Sequence, residues 1–399
     1  MRIGIMADAY KPHVSGVTNF IALTKQHLEQ RGHEVFVFTF QYEDYKDDEK
    51  NIIRSSGMPV LDTGFTFNLT YSREARKLLY TMDITHVQHP FLSGSLALAY
   101  CRPRGIPIVF TNHTRYDLYA QAYLPGVPDV VGTGALQAYL PRFCRSCDLV
   151  LSPSEGMKKV LQRLGVDAPI DVVPNGVDLR AFQAPIDPVD RAALGIAVDD
   201  IVLLFVGRLG PEKNLAFLLR SFVGTALAYE HVHLVLVGDG PERGNLEDQA
   251  AHSGAGERVH FLGLVPYADM PRYMAMADAF VTASVTEVHP LTVIEAMAAG
   301  LPVLGSDSPG VGDTVLDGQT GYLVPEQDLA AFTAKMVRLV IDSDNRRRMG
   351  ENSRRAAQAY NIENTSRLVE ERYQSVLARG GSRRYTMRAR VTRWMDGWR

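Results

Sequence analysis

Two carboxylates spaced as Glu287-x7-Glu295 lie across a loop that leads into a helix, within Ser284-Val-Thr-Glu-Val-His-Pro-Leu-Thr-Val-Ile-Glu-Ala-Met-Ala-Ala-Gly300. The start of a helix offers unpaired backbone N–H groups to an anion, and each glutamate can accept hydrogen bonds from sugar hydroxyls. A phosphate flanked by hydroxyl acceptors is the chemistry of a sugar nucleotide. Upstream, Gly207-Arg208-Leu-Gly-Pro-Glu-Lys213-Asn214 follows an apolar strand and precedes another helix. Arginine binds phosphate oxygens through two parallel hydrogen bonds and lysine adds a point charge, each charged bond contributing about 1.5–3 kcal/mol. Together they can neutralise a departing diphosphate without a metal.

Within this constellation Glu295 is assigned to the nucleotide ribose and Glu287 to the sugar. Gly16, in Tyr10-Lys-Pro-His-Val-Ser-Gly-Val-Thr-Asn19, lets a backbone approach the diphosphate, with Thr18 as the expected helix cap. Gly238, in Gly238-Asp-Gly-Pro-Glu-Arg-Gly244, has the wrong spacing for a dinucleotide fingerprint and reads as a turn lining the donor site. His113 follows a strand within Thr111-Asn-His-Thr-Arg-Tyr-Asp117, where Tyr116 and Asp117 are expected to shape the acceptor side. Asp342 and Asp344 resemble a metal-binding pair but lie between two helices, where Asp344 is the expected cap.

These residues need strands to deliver them. Apolar strands alternate with amphipathic helices almost throughout, the pattern of parallel sheets covered on both faces. Strands are expected at Arg2–Ala7, Glu34–Thr39, His86–Gln88, Ile108–Thr111, Leu149–Ser152 and Ile170–Val173, then at Ile201–Val206, His233–Val237, Val259–Leu262, Ala279–Ala283 and Pro302–Gly305. Helices are expected at Val17–Arg31, Asn214–Val223, Arg243–His252, Tyr267–Met276 and Leu291–Ala299. The stretch Ala184-Pro-Ile-Asp-Pro188, where prolines and turn formers replace periodicity, marks the boundary, giving an N-terminal Rossmann-like acceptor domain at 1–185 and a C-terminal nucleotide-sugar domain at 186–365. A helix at 366–380 is expected to return to the first domain, and 381–399 forms a basic tail. Two such domains facing one another would place ligands at the carboxyl ends of their strands.

At 399 residues, 46% hydrophobic and 22% charged, the chain is long enough for two cores, and its net charge of −3 excludes a global nucleic-acid footprint. Three cysteines cannot build a disulfide framework and are expected to pack in the interior. Arg2–Ala7 reads as a strand rather than a secretion signal, and no apolar run reaches the length of a membrane span, so a cytoplasmic protein is expected. The tail carries Arg383, Arg384, Arg388, Arg390 and Arg393 with both tryptophans, Trp394 and Trp398. As a helix it would oppose an apolar face to arginines, suiting peripheral attachment to an anionic membrane at about 1 kcal/mol per basic residue. The competing reading is a disordered or protein-docking tail.

Over roughly residues 1–378 the chain resembles the fourth family of retaining glycosyltransferases, with the GT-B fold. The likeness rests on Gly207-Arg208 with Lys213, on Glu287-x7-Glu295 and on Asn175-Gly-Val-Asp178. It implies that Arg208 and Lys213 contact the diphosphate, Glu295 the ribose, Glu287 the donor sugar, and that His113 is the active-site histidine. It also implies that Gly263-Leu264-Val265 holds the base through main-chain atoms, that no metal or other cofactor is required, and that the leaving diphosphate helps deprotonate the acceptor. Many members have glycine where this chain has Pro290, so phosphate contacts pass to Leu291 and Thr292. Ser15-Gly16 and His113-Thr-Arg-Tyr-Asp-Leu-Tyr119 resemble the branch that glucosylates diacylglycerol from UDP-glucose. The alternatives are a GDP-mannose-dependent mannosyltransferase acting on a phosphoinositide or soluble acceptor and, remotely, a non-catalytic sugar-nucleotide binder or epimerase.

Overall fold

The computed structural model describes the chain except residues 14, 42–44, 57, 61–64, 68–69, 117, 119–128 and 381–399. It divides into two units, residues 1–176 with the segment from Ile362 onward, and Val177–Asn361. The crossings thus fall ahead of the turn-rich 184–188 stretch and of residue 366. Val177 bonds its N–H to Tyr360 O, so the second unit is closed where its ends meet.

Unit 1 contains β1 (Arg2–Met6), β2 (Glu34–Phe40), β3 (Ile52–Ser55), β4 (Met58–Val60), β5 (Phe65–Phe67), β6 (Ile84–Val87), β7 (Ile108–Thr111), β8 (Leu149–Ser152) and β9 (Ile170–Val172). Seven form a parallel sheet in the order β3-β2-β1-β6-β7-β8-β9, while β4 and β5 make a separate antiparallel pair. The C-terminal helix Ile362–Ala378 packs on helix Gly16–Gln30. It is fixed by Glu370, which pairs with Arg31 and His33, and by Tyr373, fully buried in the first core.

Unit 2 contains β10 (Ile201–Val206), β11 (Val232–Val237), β12 (Val259–Gly263), β13 (Ala279–Thr282), β14 (Val303–Ser306) and β15 (Gly321–Val324), parallel in the order β12-β11-β10-β13-β14-β15. Strand β10 explains the near-continuous apolar runs. Val202, Leu204 and Val206 enter one core while Leu203 and Phe205 enter the other, so both faces are dry. Each such side chain contributes about 1.5–3 kcal/mol on burial. The strand order reverses between β10 and β13, so the loops that follow these two strands flank a crevice at the carboxyl end. Those loops carry Arg208, Lys213 and Glu287.

Candidate functional site

In unit 2 the loops are laced together by backbone. Gly207 N–H donates to Val237 O, Leu209 N–H to Asp239 O, and Gly238 N–H to Gly263 O. Gly238 sits at φ +137°, and a Cβ there would lie 1.9 Å from Gly207 O. Only glycine fits so close a crossing. Its amide is committed to Gly263, so Gly238 shapes the loop crossing rather than donating to a ligand.

Lys213 ends a 3-10 turn, Pro211–Lys213, and the chain then turns through Asn214 in the left-handed region at φ +53°. Ser284 Oγ and Thr286 Oγ1 both donate to Glu212 O, at 3.3 Å each, which pins the loop after β13 to this turn. As a result Lys213 Nζ donates to Glu287 Oε1 at 2.5 Å. Burial alone would raise the Glu287 pKa, but the Lys213 charge and its hydrogen bond outweigh it and hold the carboxyl below its ordinary value. Glu287 is therefore an anion, and Lys213, with three donors, can serve it and a phosphate together. Arg208 is two-thirds exposed, its Nη1 3.7 Å from Glu212 Oε1, which leaves its guanidinium accessible to an anion.

Helix Leu291–Ala299 follows Pro290, which provides no side-chain cap, and the first intrahelical acceptor is Pro290 O, taken by Ile294 N–H. The amides of Leu291 and Thr292 lie in this first turn, where the helix dipole favours an anion. Gly300, at φ +88°, ends the helix. Glu295 is 3% exposed and accepts from Tyr267 Oη at 2.8 Å. Burial raises its pKa to about 7, partly offset by the Tyr267 bond. Tyr267 was missed from sequence, being 28 residues away on the turn after β12. Half-buried Val265 lies just before it, and Leu264 is exposed.

In unit 1, the cap of helix Gly16–Gln30 is Ser15, whose Oγ accepts from Thr18 N–H at 3.1 Å; the expected cap, Thr18, is a helical residue. Ser15 wins because its extended backbone places the hydroxyl over the first turn. Gly16 is the first helical residue.

His113 Nε2 lies 2.8 Å from Gln88 Oε1, and its ring packs on Phe20 at 4.8 Å between centroids. Gln88 is fully buried and donates its Nε2 to His86 O, so its Oε1 accepts and His113 Nε2 carries the proton. Burial, then the neighbouring His89 and His86, push the His113 pKa well below the usual value. The ring is thus neutral with Nδ1 as acceptor. Behind it His86 bridges Tyr373 Oη and Thr111 Oγ1, at 2.6 Å each, and burial lowers its pKa to about 3. His86 and Gln88 were read as strand residues without a role at the site and Tyr373 was not singled out, although polar side chains at and just after β6 were the available signal for the first two.

Tyr116, expected at the acceptor side, is 1% exposed and packs edge-on against Phe91, 5.3 Å between centroids. Its ring completes the interior of unit 1 and presents no surface to an acceptor. Asp117 and the tail residues Arg383, Arg384, Arg388, Arg390, Arg393, Trp394 and Trp398 lie outside the described residues. The cap between the last two helices of unit 2 is Asp342, accepting from Asn345 N–H at 3.0 Å, whereas Asp344 pairs with Arg347. The three cysteines are buried and unbridged. Among the described residues no cluster of three metal-ligating side chains occurs, and no helix is long and apolar enough to cross a membrane.

Two doubly wound parallel sheets in one chain are the architecture of the GT-B fold. Sucrose-phosphate synthase from Thermosynechococcus elongatus, at 23% identity, shares this fold with a TM-score of 0.77 over 95% of this chain and 100% of that one. Residues 14–181 match the model described as glycosyltransferase family 4, and residues 187–356 that of glycosyl transferases group 1. Alpha-monoglucosyldiacylglycerol synthase of Streptococcus pneumoniae is 32% identical over 341 residues, covering 83% of this chain and 77% of the relative. Its counterpart in Acholeplasma laidlawii is 30% identical over 335 residues, covering 80% and 84%. The chain belongs to glycosyltransferase family 4.

Proposed function

We propose that this glycosyltransferase moves glucose from UDP-glucose to a membrane lipid, 1,2-diacylglycerol, with retention at the anomeric carbon. The observation that carries the reading is the Lys213–Glu287 pair beside the uncapped start of helix Leu291–Ala299. The names of the two relatives support the choice of sugar and acceptor.

In this reading Arg208 and Lys213, with the Leu291 and Thr292 amides, take the charge that develops on the diphosphate as the glycosidic bond breaks. Glu287 orients the hexose through its hydroxyls and keeps the Lys213 ammonium in place. Glu295, held by Tyr267, accepts from the ribose. His113 presents Nδ1 to a sugar hydroxyl. The leaving diphosphate, on the same face as the incoming lipid hydroxyl, removes its proton, so no carboxylate nucleophile is assigned. Two cations and a helix start supply the positive charge that a metal otherwise would, and chelation is expected to leave the rate unchanged. The arginine- and tryptophan-rich tail is assigned to reversible attachment at the cytoplasmic face of an anionic membrane.

Purified enzyme incubated with UDP-glucose or GDP-mannose and with diacylglycerol, phosphoinositide or soluble sugars tests the assignment. Glucosyl-diacylglycerol as the main product supports it; transfer of mannose, or only to soluble acceptors, rejects it. Flotation with anionic liposomes, before and after deletion of residues 382–399, tests the tail, and equal recovery would remove its role.

A further inference from the structure

A second cationic site lies in unit 2 at a distance in the fold from the strand ends just described. A cavity of about 440 Å³ is lined by Gly318, Tyr322, Lys335, Arg338, Asn345 and Arg348, among others. That size is within the roughly 300–1,000 Å³ typical of small-ligand sites. Its floor is Tyr322, the second residue of β15, which registers with Leu304 near the amino end of β14. The donor loops, by contrast, leave the carboxyl ends. The walls are helices Leu329–Ile341 and Ser343–Ala356.

Charge is arranged here without its usual balance. Lys335 Nζ sits 4.4 Å and the Arg338 guanidinium 5.7 Å from the Tyr322 ring centroid, so one aromatic ring draws two cations. Arg348 is fixed at the rim by Asn345 Oδ1, 2.5 Å from its Nη2. Asn345 in turn donates to Tyr322 Oη at 2.8 Å, so the tyrosine hydroxyl accepts there and keeps its own proton to donate. Among the described residues, none of these three cations forms an ion pair with a carboxylate. Asp342 also lines the cavity, but its carboxylate caps helix Ser343–Ala356. Other arginines of that helix are satisfied: Arg347 by Asp344, Arg346 by Leu339 O and Val340 O, Arg354 by Ala299 O.

We propose that this cavity is a binding site for a phosphate-bearing anion, separate from the nucleotide-sugar site. Two ammonium- and guanidinium-bearing side chains converge on a tyrosine that adds an O–H donor, and Arg348 closes the rim with the planar fork that phosphate oxygens match. The same helix that carries Arg348 packs against helix Leu291–Ala299, and Gly350 lies so close to Gly300 that an added Cβ would fall 2.1 Å from Gly300 O.

The full-length protein is melted in sodium phosphate and in sodium chloride of equal ionic strength. Phosphate at several times its dissociation constant is expected to raise the midpoint by about 2–4 °C over chloride. The K335A/R338A/R348A variant loses most of that increment, while K335R/R338K retains it and K213A, altered in the donor site, keeps the greater part. An increment absent from the unaltered protein, or unchanged in the triple variant, overturns the site. A parallel flotation of the protein lacking residues 382–399, with phosphatidylcholine vesicles with and without phosphatidic acid, locates the source of the phosphate. Capture lost in the triple variant assigns it to a lipid headgroup; capture unaffected by it, with the soluble increment lost, assigns it to a small metabolite.

Discussion

Replacing Tyr267 with Phe isolates the unusual carboxyl of the site. Burial raises the Glu295 pKa to about 7, and the Tyr267 hydroxyl pulls it down. A carboxylate accepts from ribose hydroxyls more strongly than the protonated acid does, so the KM for the sugar nucleotide should rise as pH falls below 7, by up to about tenfold between pH 8 and pH 6. A hydrogen bond to a charged acceptor is worth about 1.5–3 kcal/mol, or about 1–2 pKa units. Tyr267 is half exposed, so water replaces part of its bond, and a shift of about 0.5–1 unit is the expected remainder. In Y267F the rise in KM should begin at correspondingly higher pH, while kcat at saturating donor changes little because bound ribose keeps Glu295 ionised. Initial rates against donor concentration from pH 5.5 to 8.5 read both quantities. Burial holds the His113 pKa well below its ordinary value, so its own titration is displaced to the acid side of a free imidazole's. A flat KM, or one whose midpoint is the same in Y267F, would refute the assignment of Glu295 to the donor.

Other changes follow from the same geometry. Glu287→Gln keeps the shape of the side chain but removes the charge that holds Lys213, and kcat should fall about 100- to 1,000-fold with an unchanged circular dichroism spectrum; undiminished turnover would exclude Glu287 from the reaction. Gly238→Ala forces a Cβ to within 1.9 Å of Gly207 O, so unit 2 should lose more than about 1–3 kcal/mol in denaturant melts, and an unaltered midpoint would contradict the described loop crossing. His86 and His289 have pKa values lowered by burial to about 3 and about 4. The unfolded chain binds these protons near pH 6.5 and the folded one does not, so stability present above that pH is lost as pH falls toward 4, by about 1.4 kcal/mol per unit for each group at most. Melting temperatures that are level from pH 7 to 5 would contradict this.

Much of this was legible in the sequence where a local rule decided the outcome. Ile201–Val206 and Leu291–Ala299 have their expected limits because an apolar run ended by glycine, and a helix ended by Gly300, are local signals. The short strands β3 and β15 were not expected: Ile52-Ile-Arg-Ser55 is an edge strand of mixed polarity, and Gly321–Val324 pairs only because β14 is already placed. Helix Asp129–Arg145 holds Pro141 in its interior, which by propensity argues for a break. The cap of helix Gly16–Gln30 fell to Ser15 instead of Thr18 because capping depends on backbone angle as well as residue type. The partners of the site residues were the least accessible. Tyr267 for Glu295, and Gln88 for His113, are brought together by sheet order and not by spacing along the chain.

The central claim is that positive charge from Arg208, Lys213 and the first turn of helix Leu291–Ala299 holds the diphosphate of an activated hexose. A crystal structure of the enzyme with UDP-glucose tests it most directly. The account predicts β-phosphate oxygens within hydrogen-bond distance of the Lys213 ammonium and the Leu291 and Thr292 amides, with the ribose hydroxyls on Glu295. A nucleotide seated away from these groups would contradict it.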